Sequence, residues 1–199
     1  MKTIRSSLIL FALAAGAAWA APEIGQPAPA FSAVDSHGNN VALEDFRGQH
    51  VVLEWTNHEC PFVEKHYGAD NMQALQKSAT GRDVVWLSII SSAPGKQGHV
   101  SGKKANELTR ERGAHPSHVL FDESGDIGRA YGAKTTPHMY LIDPAGVLRY
   151  AGGIDSIPSA DPADIPKATP YVELAVNNAL AGEPIDPATS RPYGCSVKY

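Results

Sequence analysis

The run Val51-Val52-Leu53-Glu54-Trp55 is apolar at four of its five positions. A run of this kind asks for burial on both faces, as an interior strand is buried and an edge strand is not. It breaks into Thr56-Asn57-His58-Glu59, and Cys60-Pro61-Phe62-Val63 follows at once. Proline is favoured at the first position of a helix, because its missing N–H would have no partner there. The order therefore predicts strand, turn and helix, with Cys60 where free amides and the positive end of the helix dipole stabilise a thiolate. The thiolate is the reactive form of cysteine, so Cys60 is a candidate for thiol redox chemistry. A small buried residue ahead of a helix has the same signature, and both readings stand at this point.

Residues 1–20 read as a signal peptide. Lys2 and Arg5 supply a positive start and Leu8 to Ala18 an apolar core, while Ala18-Trp19-Ala20 offers small residues at −3 and −1 for cleavage before Ala21. The apolar core is shorter than the ~20 residues that span a bilayer. No membrane anchor is expected after cleavage, and the location expected is periplasmic or secreted. Loss of Lys2 and Arg5 takes the net charge from −4 to −6, a mildly acidic balance that disfavours nucleic acid as a partner. The chain has 2 cysteines, Cys60 and Cys195, and export would put both in an oxidising compartment. An even pair there is by default a disulfide. A purely structural bridge closing so long a loop is worth about 4–5 kcal/mol in the chain-entropy account.

Residues 21–182 read as one domain and 183–199 as a tail carrying Cys195. Ala21 to Phe31 is a proline-rich extended arm, and Phe31 to Leu43 a hairpin around Asp35-Ser36-His37-Gly38-Asn39-Asn40. Pro61 to about Thr80 is helical, interrupted near Gly68 and capped again at Asp70 or Asn71. Further strands are expected at Val84–Ile90, His118–Phe121, His138–Ile142 and Leu148–Ala151, and helices at about Lys103–Arg112, Ile127–Tyr131 and Tyr171–Ala181. Asp45 to Gly48 reads as a turn, and Gly152 to Thr169 as a long loop. Asp122 to Asp126 and Asp143 to Gly146 also read as turns; the first lacks the ligand series of a calcium loop. Strands alternating with helices and ending in a hairpin plus helix predict an α/β fold, a central mixed β-sheet with helices on both faces.

The second informative site is Thr135-Thr136-Pro137, directly ahead of a strand. Proline is tolerated at a strand's first residue, and it is the residue type that admits a cis peptide. A cis Thr136–Pro137 bond would turn a free backbone edge toward whatever lies opposite; an ordinary strand-start proline is the plainer alternative.

Taken together, the Cys-Pro helix start, the Thr-Pro before a β-hairpin and the last helix resemble the thioredoxin-like superfamily. The most specific segments are Cys60-Pro61-Phe62-Val63, Tyr131-Gly132-Ala133-Lys134-Thr135-Thr136-Pro137-His138 and Tyr193-Gly194-Cys195-Ser196-Val197-Lys198-Tyr199. They are similar to the redoxin (AhpC/TSA-type), peroxiredoxin-like branch of exported bacterial proteins. The resemblance implies a thioredoxin-like fold with an N-terminal β-hairpin extension and a C-terminal tail. It also implies a cysteine and a cis-proline facing each other across a groove, and thiol–disulfide oxidoreductase or antioxidant activity with weak peroxide reduction. Cys60 and Cys195 would be the catalytic pair and Thr136 and Pro137 the substrate-backbone contact. Asn57, His58, Pro61 and Glu54 would support them, Glu54 as the buried acid that moves protons in thioredoxins.

Two departures qualify this. The place of a thioredoxin's second cysteine holds Val63, so no local dithiol can close. The place of the peroxidatic threonine, three residues before the cysteine, holds Asn57, with Thr56 one residue further back. Cys195 is then the one internal thiol that can resolve Cys60. Its segment, rich in proline and without hydrophobic period, cannot build structure alone.

The partners expected are protein thiols or disulfides, small thiols and peroxides. No organic cofactor is expected, there being no glycine-rich dinucleotide fingerprint, and no metal. Two rival readings remain open: a non-enzymatic binding module with a structural Cys60–Cys195 disulfide, and a copper-handling protein using Cys60, His58 and His138. His58 and His66 are otherwise ordinary hydrogen-bonded histidines that tune Cys60.

Overall fold

A computed structural model describes residues 21–199, so the signal peptide expected at 1–20 lies outside the described residues. The strands are β1 (Ser32–Asp35), β2 (Asn40–Ala42), β3 (Val51–Trp55), β4 (Val85–Ile90), β5 (His118–Phe121), β6 (Thr135–Thr136), β7 (His138–Ile142), β8 (Leu148–Gly152) and β9 (Cys195–Ser196). The α-helices are α1 (Pro61–Gly68), α2 (Asn71–Thr80), α3 (Gly102–Glu111), α4 (Asp126–Tyr131) and α5 (Tyr171–Ala181).

Seven strands form one mixed sheet in the order β2-β1-β5-β4-β3-β7-β8. β3, β4 and β5 run parallel, with helical crossovers between them, while β7 lies antiparallel to β3. Every residue of β3 and β4 is buried, as the unbroken apolar runs demand. Alternation divides β3 between two cores. Leu53 and Trp55 pack with Leu87, Tyr131 and Tyr140 on one face. Val52 packs with Val63, Met72, Trp86 and Val176 beneath α1, α2 and α5 on the other.

The helical segment after Cys60 divides as expected. Gly68 closes α1, and Asp70, in the left-handed conformation at φ 57°, precedes α2. The Pro-rich arm lies along the start of β8, where the Gly25 N–H donates to the Leu148 carbonyl at 2.8 Å.

Three details go beyond the sequence reading. The turn at Asp45 is the end of a 3-10 helix spanning Leu43–Phe46. The long loop after β8 holds another at Pro162–Lys167. The tail forms β9 by borrowing a partner, β6, in a separate two-stranded ladder. No helix among the described residues is long and apolar enough to cross a membrane.

Candidate active site

The site follows from the pairing of β3 with β7. Trp55, the last residue of β3, is in register with His138, the first of β7. The turn that leaves β3 and the segment that enters β7 therefore emerge at the same end of the sheet. The first carries Cys60 and the second Thr136-Pro137, whose peptide bond is cis.

Cys60 is the N-cap of α1, with Pro61 as the first helical residue. Its sulfur is fully buried, and its thiol donates to the Thr136 carbonyl at 3.1 Å. The tail closes the third side. β9 runs antiparallel to β6 with Cys195 opposite Thr136, and both cysteines are free thiols. Burial raises the pKa of Cys60, but the donors around it outweigh burial. These are the Cys195 thiol above all, with the backbone amides of Cys195 and Val63, and together they hold the Cys60 pKa below its ordinary value. Cys195 moves the other way, pushed up to about 11 by burial and by its neighbour Cys60. One sulfur of the pair is thus set to hold negative charge and the other to hold the proton.

The remaining sequence candidates divide. Asn57 is buried, but its amide is spent on the loop: Oδ1 accepts from the Glu59 N–H at 2.9 Å and Nδ2 donates to the Gln97 carbonyl at 3.4 Å. His58 is half-buried, its ring pKa lowered by burial, and its carbonyl accepts from Arg112 at 2.9 Å. Glu54 is fully buried and accepts from Tyr67, Gln76, Trp86 and Ser88. Among the described residues no hydrogen bond joins it to Cys60. His138 has its Nδ1 between the Lys134 N–H and the Tyr140 hydroxyl, and burial brings its pKa down to about 3. Among the described residues no group of three or more His, Cys, Asp or Glu side chains is arranged to hold a metal ion. Thr136 is buried, and its hydroxyl has no hydrogen-bond partner among the described residues.

Sequence reasoning missed a buried polar cluster next to the sulfurs. Tyr193, two residues before Cys195, donates its hydroxyl to Asp155 Oδ1. Lys65 Nζ reaches Asp155 Oδ2 at 3.4 Å and the Tyr193 hydroxyl at 3.5 Å, and His66 Nε2 lies 3.3 Å from that hydroxyl. Lys65 and His66 belong to the helix that Cys60 caps, a position normally read as solvated. No local pattern marks a lysine as buried when its partners lie 90 and 128 residues away.

A Cys at a helix start packed against a cis-proline segment, on this sheet order, defines a thioredoxin-like redoxin. A match to the AhpC/TSA family covers residues 24–151, and the chain belongs to that family. The thiol-disulfide oxidoreductase ResA of Bacillus thuringiensis is 27% identical over 124 residues. That alignment takes in 62% of this chain and 66% of the relative, so the chain spans just under two thirds of the relative's length. An uncharacterised conserved protein from Geobacillus kaustophilus superposes with a TM-score of 0.76 at 26% identity, covering 89% of this chain and 92% of that one. A thiol:disulfide interchange protein DsbE from Chlorobium tepidum shares the fold, with a TM-score of 0.54 at 23% identity over 66% of this chain and 85% of its own.

Proposed function

We propose that the protein is an exported thiol–disulfide oxidoreductase in which Cys60 is the nucleophile and Cys195 the resolving thiol. The observation that carries this reading is the register of Cys195 against Thr136, whose carbonyl accepts the Cys60 thiol. The two acidities, pushed in opposite directions, suit an attacking and a waiting sulfur. The Cys60 thiolate attacks a substrate disulfide; the S–S bond breaks and one thiolate leaves with the electron pair. Cys195 gives up its proton and attacks the mixed disulfide at Cys60, releasing the second thiolate and leaving Cys60–Cys195 oxidised. A reducing thiol partner returns the pair to the dithiol. Residues 21–182 supply the redoxin domain and 183–199 the resolving segment.

Thr136 and Pro137 supply the substrate-backbone contact in this reading. Asn57, His58 and Pro61 fix the turn that carries Cys60. Glu54 acts from a distance on that turn's parent strand. Peroxide reduction is secondary, because Asn57, in the peroxide-binding position, has its amide engaged with Glu59 and Gln97.

The test is turnover of a small disulfide with Cys60→Ser and Cys195→Ser. Cys60→Ser should abolish it, and Cys195→Ser should stop at a mixed disulfide on Cys60. A Cys60–Cys195 couple below about −300 mV would instead mark an inert staple, and the enzymatic reading would fall.

A further inference from the structure

With the tail docked, Cys60 has no exposed surface, and the β6 edge is already paired by Cys195 and Ser196. No disulfide can reach the nucleophile until that segment leaves. What holds the segment is therefore what admits substrate: Ile185, Tyr193 and Val197 pack against the two cores, and polar ties supply the rest. Ser190 ties its base through the Tyr150 hydroxyl at 2.6 Å and the Gly153 N–H at 2.9 Å. Tyr199 ties its end through the Ala133 carbonyl at 2.9 Å. Between these ties stands Tyr193, next to the glycine that precedes Cys195, with its ring edge-on to Phe62 at 5.9 Å and its hydroxyl in the Lys65–Asp155–His66 cluster.

Buried ion pairs are poor sources of stability, but a buried polar network is costly to leave partly satisfied, so each partner is held in place. Lys65 and Asp155 are almost wholly buried, and the Tyr193 hydroxyl contacts both. The cluster joins the nucleophile's own helix to the resolving segment. A cleft of about 420 Å³, lined by Thr135, Asp155, Arg191, Tyr193 and Gly194, runs along the outer side of this contact. It gives the segment room to move and a small disulfide room to approach from the Thr135 side.

We propose that Tyr193, seated on the buried Lys65–Asp155 pair, is the latch that sets whether Cys195 lies against Cys60 or swings aside to admit substrate. This rests on the redox reading above and adds a positioning residue to it. Latched, the tail delivers Cys195 to a mixed disulfide on Cys60; unlatched, it exposes the sulfur. While the latch is closed the β6 edge is filled and Cys60 is covered, so substrate waits on the opening of the tail.

The experiment measures iodoacetamide alkylation of Cys60 against pH, by peptide mapping of the reduced full chain, for the wild type and Tyr193→Phe. The plateau rate at high pH reports access and the midpoint reports acidity. Removing the hydroxyl alone, with the contact to Phe62 kept, should raise the plateau about tenfold. After a pulse of oxidised glutathione the same variant should accumulate the Cys60–glutathione mixed disulfide, its conversion to Cys60–Cys195 slowed about tenfold. Gly194→Ala should reproduce both effects by a different route, since its Cβ would run into the Thr136 carbonyl. Plateau and conversion both within twofold of wild type in Tyr193→Phe would overturn the latch. A wild type whose midpoint is that of an ordinary thiol and which forms no internal disulfide would overturn the redox reading, and with it the resolving role given to the latch. A raised plateau in the variant would still establish the gate.

Discussion

The indole N–H of Trp86 donates to Oε2 of Glu54 at 2.8 Å, across neighbouring strands in the interior of the sheet. The same carboxylate accepts from Ser88 at 2.9 Å, from Gln76 at 3.2 Å and from Tyr67 at 3.0 Å. One acid thus satisfies four donors, contributed by β4, α1 and α2, and is the acceptor on which the Trp86, Ser88 and Tyr67 donors depend. Glu54→Ala should lower stability by about 3 kcal/mol or more, because several donors lose their acceptor at once. Glu54→Gln, which keeps one acceptor oxygen, should lose less. Urea denaturation of the two variants checks the order.

Replacing Cys195 by alanine should raise the pKa of Cys60, since it removes the thiol that most favours the thiolate. Thiolate absorbance against pH in Cys195→Ala and in the wild type gives the comparison. An unchanged or lower midpoint would mean that the helix amides alone set the acidity of Cys60.

His66 and His138 make the fold sensitive to mild acid. Burial brings their pKa values down from 6.5 to about 4 and about 3, so the folded chain keeps both rings neutral where the unfolded chain would protonate them. The unfolded state binds more protons across that interval, and stability therefore falls as pH drops below 6.5. The decline should level off below about 3. Thermal melts between pH 7 and 3 should show it, and His138→Gln should remove part of the slope.

Asp35 has the opposite origin but acts in the same direction. It accepts from the N–H groups of His37 and Asn39, both at 2.9 Å, and faces His118 at 3.0 Å. Those bonds outweigh its burial and hold its pKa at about 2. Its contribution is complete above the ordinary carboxylate range near 3.8 and is lost as pH falls toward 2. Asp35→Ala should cost about 1–3 kcal/mol at neutral pH, measured as a shift in the urea midpoint.

Most elements of the domain were legible because local rules and tertiary demands agree there. The apolar runs at Val51 and Val85 require interior strands, Pro61 requires a helix start, and Gly182, with φ 72°, stops the last helix. The tail was legible only through resemblance. Its fold comes from contacts with Asp155, Lys65, Ala151 and Thr136, all far away in the chain, and a short segment holding several prolines shows no periodicity of its own. Glu54 could be assigned to burial or to solvent by sequence. Only the packing of Tyr67, Gln76 and Trp86 around it settles its surroundings, and none of these residues announces itself as a carboxylate partner.

The β6–β9 ladder is just two residues long, yet it is formed by a chain that cannot diffuse away. A tethered thiol meets its partner sulfur at an effective molarity set by the linker and not by how much protein is present. Closure of the Cys60–Cys195 bond from a mixed disulfide on Cys60, the substrate's thiolate leaving, should accordingly be first-order, with a half-time unchanged on dilution. A single chain can then complete its oxidation without recruiting a neighbour's cysteine.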